Sequence, residues 1–289
     1  MRFPSRPLVL WAAVFHLTLP TVFAANEPAP SPTPASFPPA LAATDACFVL
    51  YDLKENRVKE TINPERCKQR HAACSTFKVP LAVMSFDAGI LKDKSSSLKW
   101  DGKKRMVPEW NKDQTAQSWM TESVVWFSQH LTRQLGRPRI QSYLSKFGYG
   151  SADYSGGLED AWLTPAPFLT TDPKTSLTIS GLEQIEFLKA LYKNELPASK
   201  DAMHKARKLL PSETSPGGTV LSGKTGSGFI GEDFRLRLGW FVAHIKRPDG
   251  HEFLAVLTYN DRTPIVDASF GGGLAKDSMK GMLAERGLW

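Results

Sequence analysis

The order of hydrophobic patterns along this chain predicts a mixed α/β (α+β) fold. An antiparallel sheet of five to seven strands is flanked by helices and interrupted by a mostly helical subdomain over about 90–210. Three observations carry this expectation. Apolar runs of strand length lie near both ends of the folded region, first at 46–52 and 57–63, then at 219–223, 236–245 and 252–259. The stretch between them shifts to helical spacing. The chain then closes on a helical segment, 273–286, that would return to the sheet.

The elements follow in order. Residues 1–24 read as a secretory signal: Arg2 and Arg6 start it, Leu8 to Phe15 form the apolar stretch, and Val22-Phe23-Ala24 places the cut after Ala24. Pro7, His16 and Pro20 interrupt the apolar stretch and argue against an uncleaved membrane span. Residues 25–43, dense in Pro, Ala and Ser with almost no charge, form a spacer that cannot build a core. The folded domain is placed at 44–289. Lys54-Glu55-Asn56 turns the first hairpin, and a helix beginning at Ser75 should end near Gly89. Residues 90–115 are polar and irregular, with Trp100 and Trp110 as anchors. Helices are expected at 117–135, ended by Gly136, and at 138–147. A Gly-rich loop (148–157) and a Thr- and Pro-rich loop (163–178) come next, then helices at 180–193 and 199–209. Arg247-Pro248-Asp249-Gly250 turns between the last two strands.

The formal charge is +7 over 289 residues, and +5 once the leader's two arginines are removed. It is spread along the chain, with no basic run and no basic helix interleaved with aromatics, so nucleic acid is not an expected partner. A moderate positive field favours small anionic ligands. An exported chain can hold a disulfide. Cys47 and Cys67 lie near the open end of the first hairpin, which makes Cys47–Cys67 the preferred bridge and leaves Cys74 as a small buried residue. Neither Cys-x-x-Cys nor His-Glu-x-x-His occurs, so no metal site is expected. Oligomeric state cannot be read from the sequence.

The chemistry concentrates in three short motifs. In Cys74-Ser75-Thr76-Phe77-Lys78, serine and lysine are three apart and share a helix face. A serine hydroxyl needs an adjacent base, and an apolar setting (Phe77, Val79, Leu81, Val83) favours the neutral amine that could serve as one. A second Ser-x-x-Lys, Ser96 to Lys99, lies in a polar turn-rich stretch and reads as a solvated loop. Lys224-Thr225-Gly226-Ser227-Gly228, on the strand that begins near 219, offers a cation and a hydroxyl suited to a carboxylate, with glycine allowing close approach. Lys174-Thr175-Ser176 lacks both the glycine and the strand. Ser123-Val124-Val125 supplies a hydroxyl that could relay a proton and two valines that could dry a pocket.

In this order and spacing the motifs resemble the serine β-lactamase and penicillin-binding protein superfamily. More closely they are similar to the class D (oxacillinase-type) β-lactamases, over roughly 45–289. Ser75-Thr76-Phe77-Lys78, Ser123-x-Val125, Phe147-Gly148-Tyr149-Gly150, Ser155-Gly156-Gly157, Ala161-Trp162-Leu163 and Lys224-Thr225-Gly226 carry the likeness. The resemblance implies a β-lactamase/transpeptidase-like fold and hydrolysis of β-lactam antibiotics through an acyl-enzyme on Ser75. It implies that Lys78 is carboxylated by carbon dioxide, with the Trp162 indole N–H holding the carbamate. Ser123 would pass the proton to the leaving nitrogen. The backbone N–H groups of Ser75 and Ser227 would form the oxyanion hole. Val125, Lys224, Thr225, Gly226 and Ser227 would bind substrate. No cofactor is implied beyond carbon dioxide or bicarbonate, and the partners are small β-lactams met outside the membrane, in the periplasm or as a secreted enzyme.

The chain departs from the family in three places. Tyr149-Gly150-Ser151 stands where the family has Tyr-Gly-Asn. No arginine occurs in Gly272-Gly273-Leu274-Ala275-Lys276, which leaves Lys276 or Arg262, or neither, for the substrate carboxylate. The stretch Thr164 to Thr178 is long. Two rivals share the motifs, a cell-wall peptidase and a penicillin-sensing receptor domain, both of which acylate without efficient turnover. A Ser-His-Asp hydrolase using His71 is disfavoured because no Gly-x-Ser-x-Gly occurs.

Overall fold

A computed structural model describes Met1 and residues 36–165, 173–264 and 269–289. The leader, its cleavage site, most of the spacer and part of the 164–178 loop lie outside the described residues. One compact unit spans Ser36 to Trp289.

The elements run β1 (Thr44–Asp52), β2 (Arg57–Ile62), α1 (Pro64–Lys68), β3 (His71–Ala72), α2 (Lys78–Asp87), β4 (Ser97–Leu98), β5 (Gln114–Thr115), α3 (Ala116–Thr121), α4 (Val125–Leu135) and α5 (Arg137–Phe147). They continue with β6 (Thr178–Ile179), α6 (Gly181–Tyr192), α7 (Lys200–Leu209), β7 (Ser212–Thr214), β8 (Val220–Ile230), β9 (Leu236–Lys246), β10 (Glu252–Asp261) and α8 (Gly271–Glu285). Six strands form one antiparallel sheet in the order β2-β1-β10-β9-β8-β7. The mixed fold expected from the sequence is the observed one.

Both faces of the sheet are covered, which explains why its strands read as continuous apolar runs rather than as alternation. On β1, Cys47, Val49 and Tyr51 join a core shared with the helices of the insert. Ala46, Phe48 and Leu50, with side chains on the opposite face, join a second core with Ala275, Met279, Met282 and Leu283 of α8. At the closest approach of α8 to β9 two glycines meet: a Cβ on Gly271 would lie 2.9 Å from the Gly239 Cα.

The structure corrects several expectations. The folded body begins before residue 44. Pro39–Leu41 form a 3₁₀ turn, Leu41 is buried in the α8-side core, and the Thr44 hydroxyl donates to the Leu41 carbonyl at 2.7 Å. Ser75 does not open an α-helix; it sits in a 3₁₀ turn, Cys74–Phe77, that leads into α2. The single helix expected over 117–135 is two. Trp110 Nε1 donates to the Glu122 carbonyl at 2.8 Å, Ser123 takes a left-handed φ of 57°, and Val124 is extended before α4 begins. A β-branched Val124-Val125 pair has little helical preference with which to resist that break. The strand placed at 219–223 runs on to Ile230, carrying Lys224–Gly228 inside it. The 163–178 loop ends in a strand residue, since β6 pairs with β3.

Candidate active site

Ser75 is held from three sides. The strained Cys74, φ 49°, donates its backbone N–H to the Trp162 carbonyl at 2.8 Å. Trp240 Nε1 donates to the Ala72 carbonyl at 3.1 Å, just before the turn. Thr76 donates to the Ala73 carbonyl and accepts from Gln184 Nε2 at 2.9 Å. Within the turn Cys74, Thr76 and Phe77 are buried and Ser75 is partly open, so the nucleophile candidate faces out from a fixed backbone.

Lys78 follows at the start of α2 and is wholly buried, its Nζ 3.2 Å from Ser75 Oγ. Burial, and secondarily the charge of Lys224, push its pKa well below the ordinary lysine value, so the neutral amine is favoured. Phe77 packs against Trp162 (5.1 Å between centroids), Tyr154 and Tyr149, giving the site an aromatic wall. Trp162 is fully buried, and its Nε1–H has no hydrogen-bond partner among the described residues.

The edge of β8 beyond its pairing with β7 faces this turn. A Cβ on Gly226 would lie 3.1 Å from Thr76 Cγ2, and one on Gly228 would lie 2.6 Å from Cys74 Sγ. Those glycines are what allow the strand to lie so close. Gly223 N–H donates to the Pro211 carbonyl and Phe229 N–H to Thr164 Oγ1 at 2.9 Å, both away from β9. Backbone N–H direction alternates along a strand, so the N–H groups of Thr225 and Ser227 point to the same open edge. Lys224 is buried; its Nζ donates to the Thr225 carbonyl at 3.0 Å and lies 3.4 Å from Thr225 Oγ1. Burial lowers its pKa to about 7. Ser227 Oγ accepts from Gly272 N–H at 2.9 Å, which ties the strand to the first turn of α8.

Ser123 and Val125 lie at the α3–α4 break, both partly exposed, on a segment whose α4 packs against α2. Thr121, two residues before Ser123, lines a pocket with Lys224 and Thr225. Lys276 lines that pocket too and is ion-paired with Glu213. Arg262 is exposed past the end of β10. Ser151 hydrogen-bonds in its own way, donating to the Ser176 carbonyl at 3.2 Å and accepting from Thr178 N–H at 3.1 Å.

The decoy motifs fall elsewhere. Ser96 Oγ accepts from Lys92 and Asp93 N–H, and Lys99 pairs with Asp113 at the surface. His71 lies on β3, its Nε2 buried without a partner among the described residues, and burial followed by the nearby Arg66 charge pushes its pKa down to about 4. Cys47 and Cys67 are joined, with Cα atoms 5.0 Å apart, and Cys74 is the free cysteine, its thiol raised to about 12 by burial. Sequence reasoning alone misses Thr164, Gln184 and Glu213. Their roles arise from contacts distant in the chain, and no local pattern announces them.

Residues 46–283 match the family described as penicillin binding protein transpeptidase domain. The chain is 36% identical over 230 residues to β-lactamase OXA-1 of Escherichia coli, covering 77% of this chain and 79% of that protein. It superposes on the class D β-lactamase from Bacillus subtilis with a TM-score of 0.73 at 34% identity, covering 86% of this chain and 94% of the other. It is also 36% identical over 210 residues to the regulatory protein BlaR1 of Bacillus licheniformis, covering 72% of this chain but only 32% of that protein. A buried lysine beside a half-open serine, a close-packed Lys-Thr-Gly strand and these likenesses together place the chain in the class D β-lactamase family, as a serine β-lactamase hydrolase.

Proposed function

We propose that the protein hydrolyses β-lactams through a covalent acyl-enzyme on Ser75, with Lys78 as the base for both halves of the cycle. The observation that carries this reading is the pairing of a wholly buried, uncharged-leaning Lys78, 3.2 Å from Ser75 Oγ, with the indole N–H of Trp162, which has no hydrogen-bond partner among the described residues. A neutral amine is the form that reacts with carbon dioxide, and a buried donor without an acceptor fits an added carboxylate. Carbon dioxide bound on Lys78 Nζ would supply an oxygen base, held by Trp162.

The residues then divide the work. Lys78 takes the Ser75 proton as Oγ attacks the lactam carbonyl. The Ser227 N–H, aimed at the open edge, and the Ser75 N–H receive the developing oxyanion, a contribution of about 3–4 kcal/mol per donor. Lys224 and Thr225 hold the substrate carboxylate. Ser123 hands the proton to the lactam nitrogen, and Val124 and Val125 exclude water behind it. Lys78 then activates the water that frees Ser75. Export to the periplasm by the leader would put this activity where β-lactams arrive and would confer resistance to them. Among the described residues no helix is long and apolar enough to cross a membrane.

The test is turnover by purified protein. Hydrolysis should vanish in Ser75→Ala, fall when buffer is freed of carbon dioxide, and recover with bicarbonate. Unchanged turnover in degassed buffer would remove the carboxylated lysine from the scheme. The likeness to BlaR1, whose C-terminal domain is described as a penicillin-receptor, supports a second reading, a receptor or peptidase that acylates and stays acylated. Stoichiometric labelling of Ser75 without turnover would select it.

A further inference from the structure

The edge of β8 opens a second space beside the site. A pocket of about 110 Å³ is lined by Lys224 and Thr225, by Glu213 on β7, by Lys276 on α8, and by Phe241 and Thr121. Lys224 and Thr225 are the residues assigned to the substrate carboxylate, so the pocket adjoins that end of the substrate. Glu213 is the acidic group in its wall. Lys276 and, one turn further along α8, Lys280 both donate to it, Lys280 at 2.7 Å. These two partners hold its carboxyl below the usual range. Glu213 is 40% exposed and Lys276 31%. At such exposure the ion pair is a weak tie, and it can be re-partnered by a ligand. Inside a concave wall the same charges still act on a group a few ångströms away.

We propose that Glu213 is a specificity-determining residue, setting which charge is accepted on the part of a β-lactam next to its carboxylate. The inference rests on the reading of the site given above. A cationic substituent entering the pocket meets the Glu213 carboxylate. A second anionic group must compete with Glu213 for Lys276 and sits against a like charge. A neutral group meets Phe241 and feels neither.

The test uses three cephalosporins that differ only in the charge of the substituent neighbouring the carboxylate-bearing carbon: cationic, neutral and anionic. KM and kcat are measured for the full protein, for Glu213→Gln, which keeps the shape and hydrogen-bonding of the side chain, and for Lys276→Met. Relative to the neutral compound, Glu213→Gln should raise KM for the cationic compound about threefold and lower it for the anionic one by a similar factor, and Lys276→Met should raise it for the anionic one. If the wild type acylates without turnover, the same ratios are read from acylation rates. A uniform change across all three compounds, or none, overturns the inference while leaving the parent reading intact, because a mere β7–α8 tie has no reason to sort ligands by charge. A wild type that reacts with no β-lactam overturns both.

Discussion

Trp162 poses a residue-scale question with a measurable answer. A buried indole N–H left without an acceptor costs about 1–3 kcal/mol, and that of Trp162 has none among the described residues. Bicarbonate should therefore raise the melting temperature of the wild type by supplying the acceptor. Trp162→Phe, which removes the donor, should lose that bicarbonate-dependent rise along with most of its turnover. An equal thermal response in both proteins would detach Trp162 from the proposed carboxylation of Lys78. Lys224 gives a pH dependence. Its proton leaves near pH 7 rather than near 10, and carboxylate binding needs the cation, so kcat/KM should fall as pH rises through about 7. An anion on Lys78 would favour the charged form of Lys224, so added bicarbonate should move that limb to higher pH. His71 makes stability depend on pH. With its folded pKa depressed to about 4, the unfolded chain binds more protons between pH 4 and 6.5. Stability is thus present in full above 6.5 and lost as pH falls through that window, by about 3 kcal/mol at most. His71→Phe should flatten the pH dependence of the melting temperature without abolishing turnover, which would also close the histidine-hydrolase reading.

At the scale of elements, the decisive contact is between β8 and the 3₁₀ turn that carries Ser75. Gly228 leaves room for Cys74 Sγ and Thr164 Oγ1, which a Cβ would approach to 2.6 and 2.8 Å. Gly228→Ala must push the strand from the turn, and a displacement of about 1 Å at the oxyanion donor suffices for a hundredfold loss in kcat/KM. Adding Cys74→Ala should restore part of it, since the two residues share one space; a double variant no better than the single would show that the strand, not the thiol, is displaced. The α3–α4 break belongs to the same scale. The motif Ser123-x-Val125 was legible, but its spacing suited a continuous helix equally well. Only the Trp110–Glu122 hydrogen bond shows why the chain turns there and lifts Ser123 out of helical geometry.

For the molecule as a whole, the six-stranded sheet carries a separate core on each face, and the Cys47–Cys67 bridge fastens β1 to the segment after β2. It closes a loop of 20 residues, so its loss should cost about 3 kcal/mol, read as a lower melting temperature in Cys47→Ser/Cys67→Ser or under reductant. Gly181, where a Cβ would approach Cys47 Sγ to 2.7 Å, lets α6 start against the bridge. The sequence by itself determined most of the long strands and helices in their order, the family likeness, and Ser75, Lys78, Ser123 and Lys224 as a candidate set. These follow from period, turn chemistry and short spacings, which are properties of neighbours in the chain. Only the tertiary structure decided that Lys78 is dry, that the Ser227 N–H faces the open edge, that the Trp162 N–H is buried with no partner among the described residues and that Lys276 is already engaged by Glu213. Burial, strand pairing and charge partnership are made by segments far apart in sequence. The same Ser-x-x-Lys spelling at Ser96 and Lys99 therefore remains a solvated loop, while Ser75 meets a buried amine at Lys78.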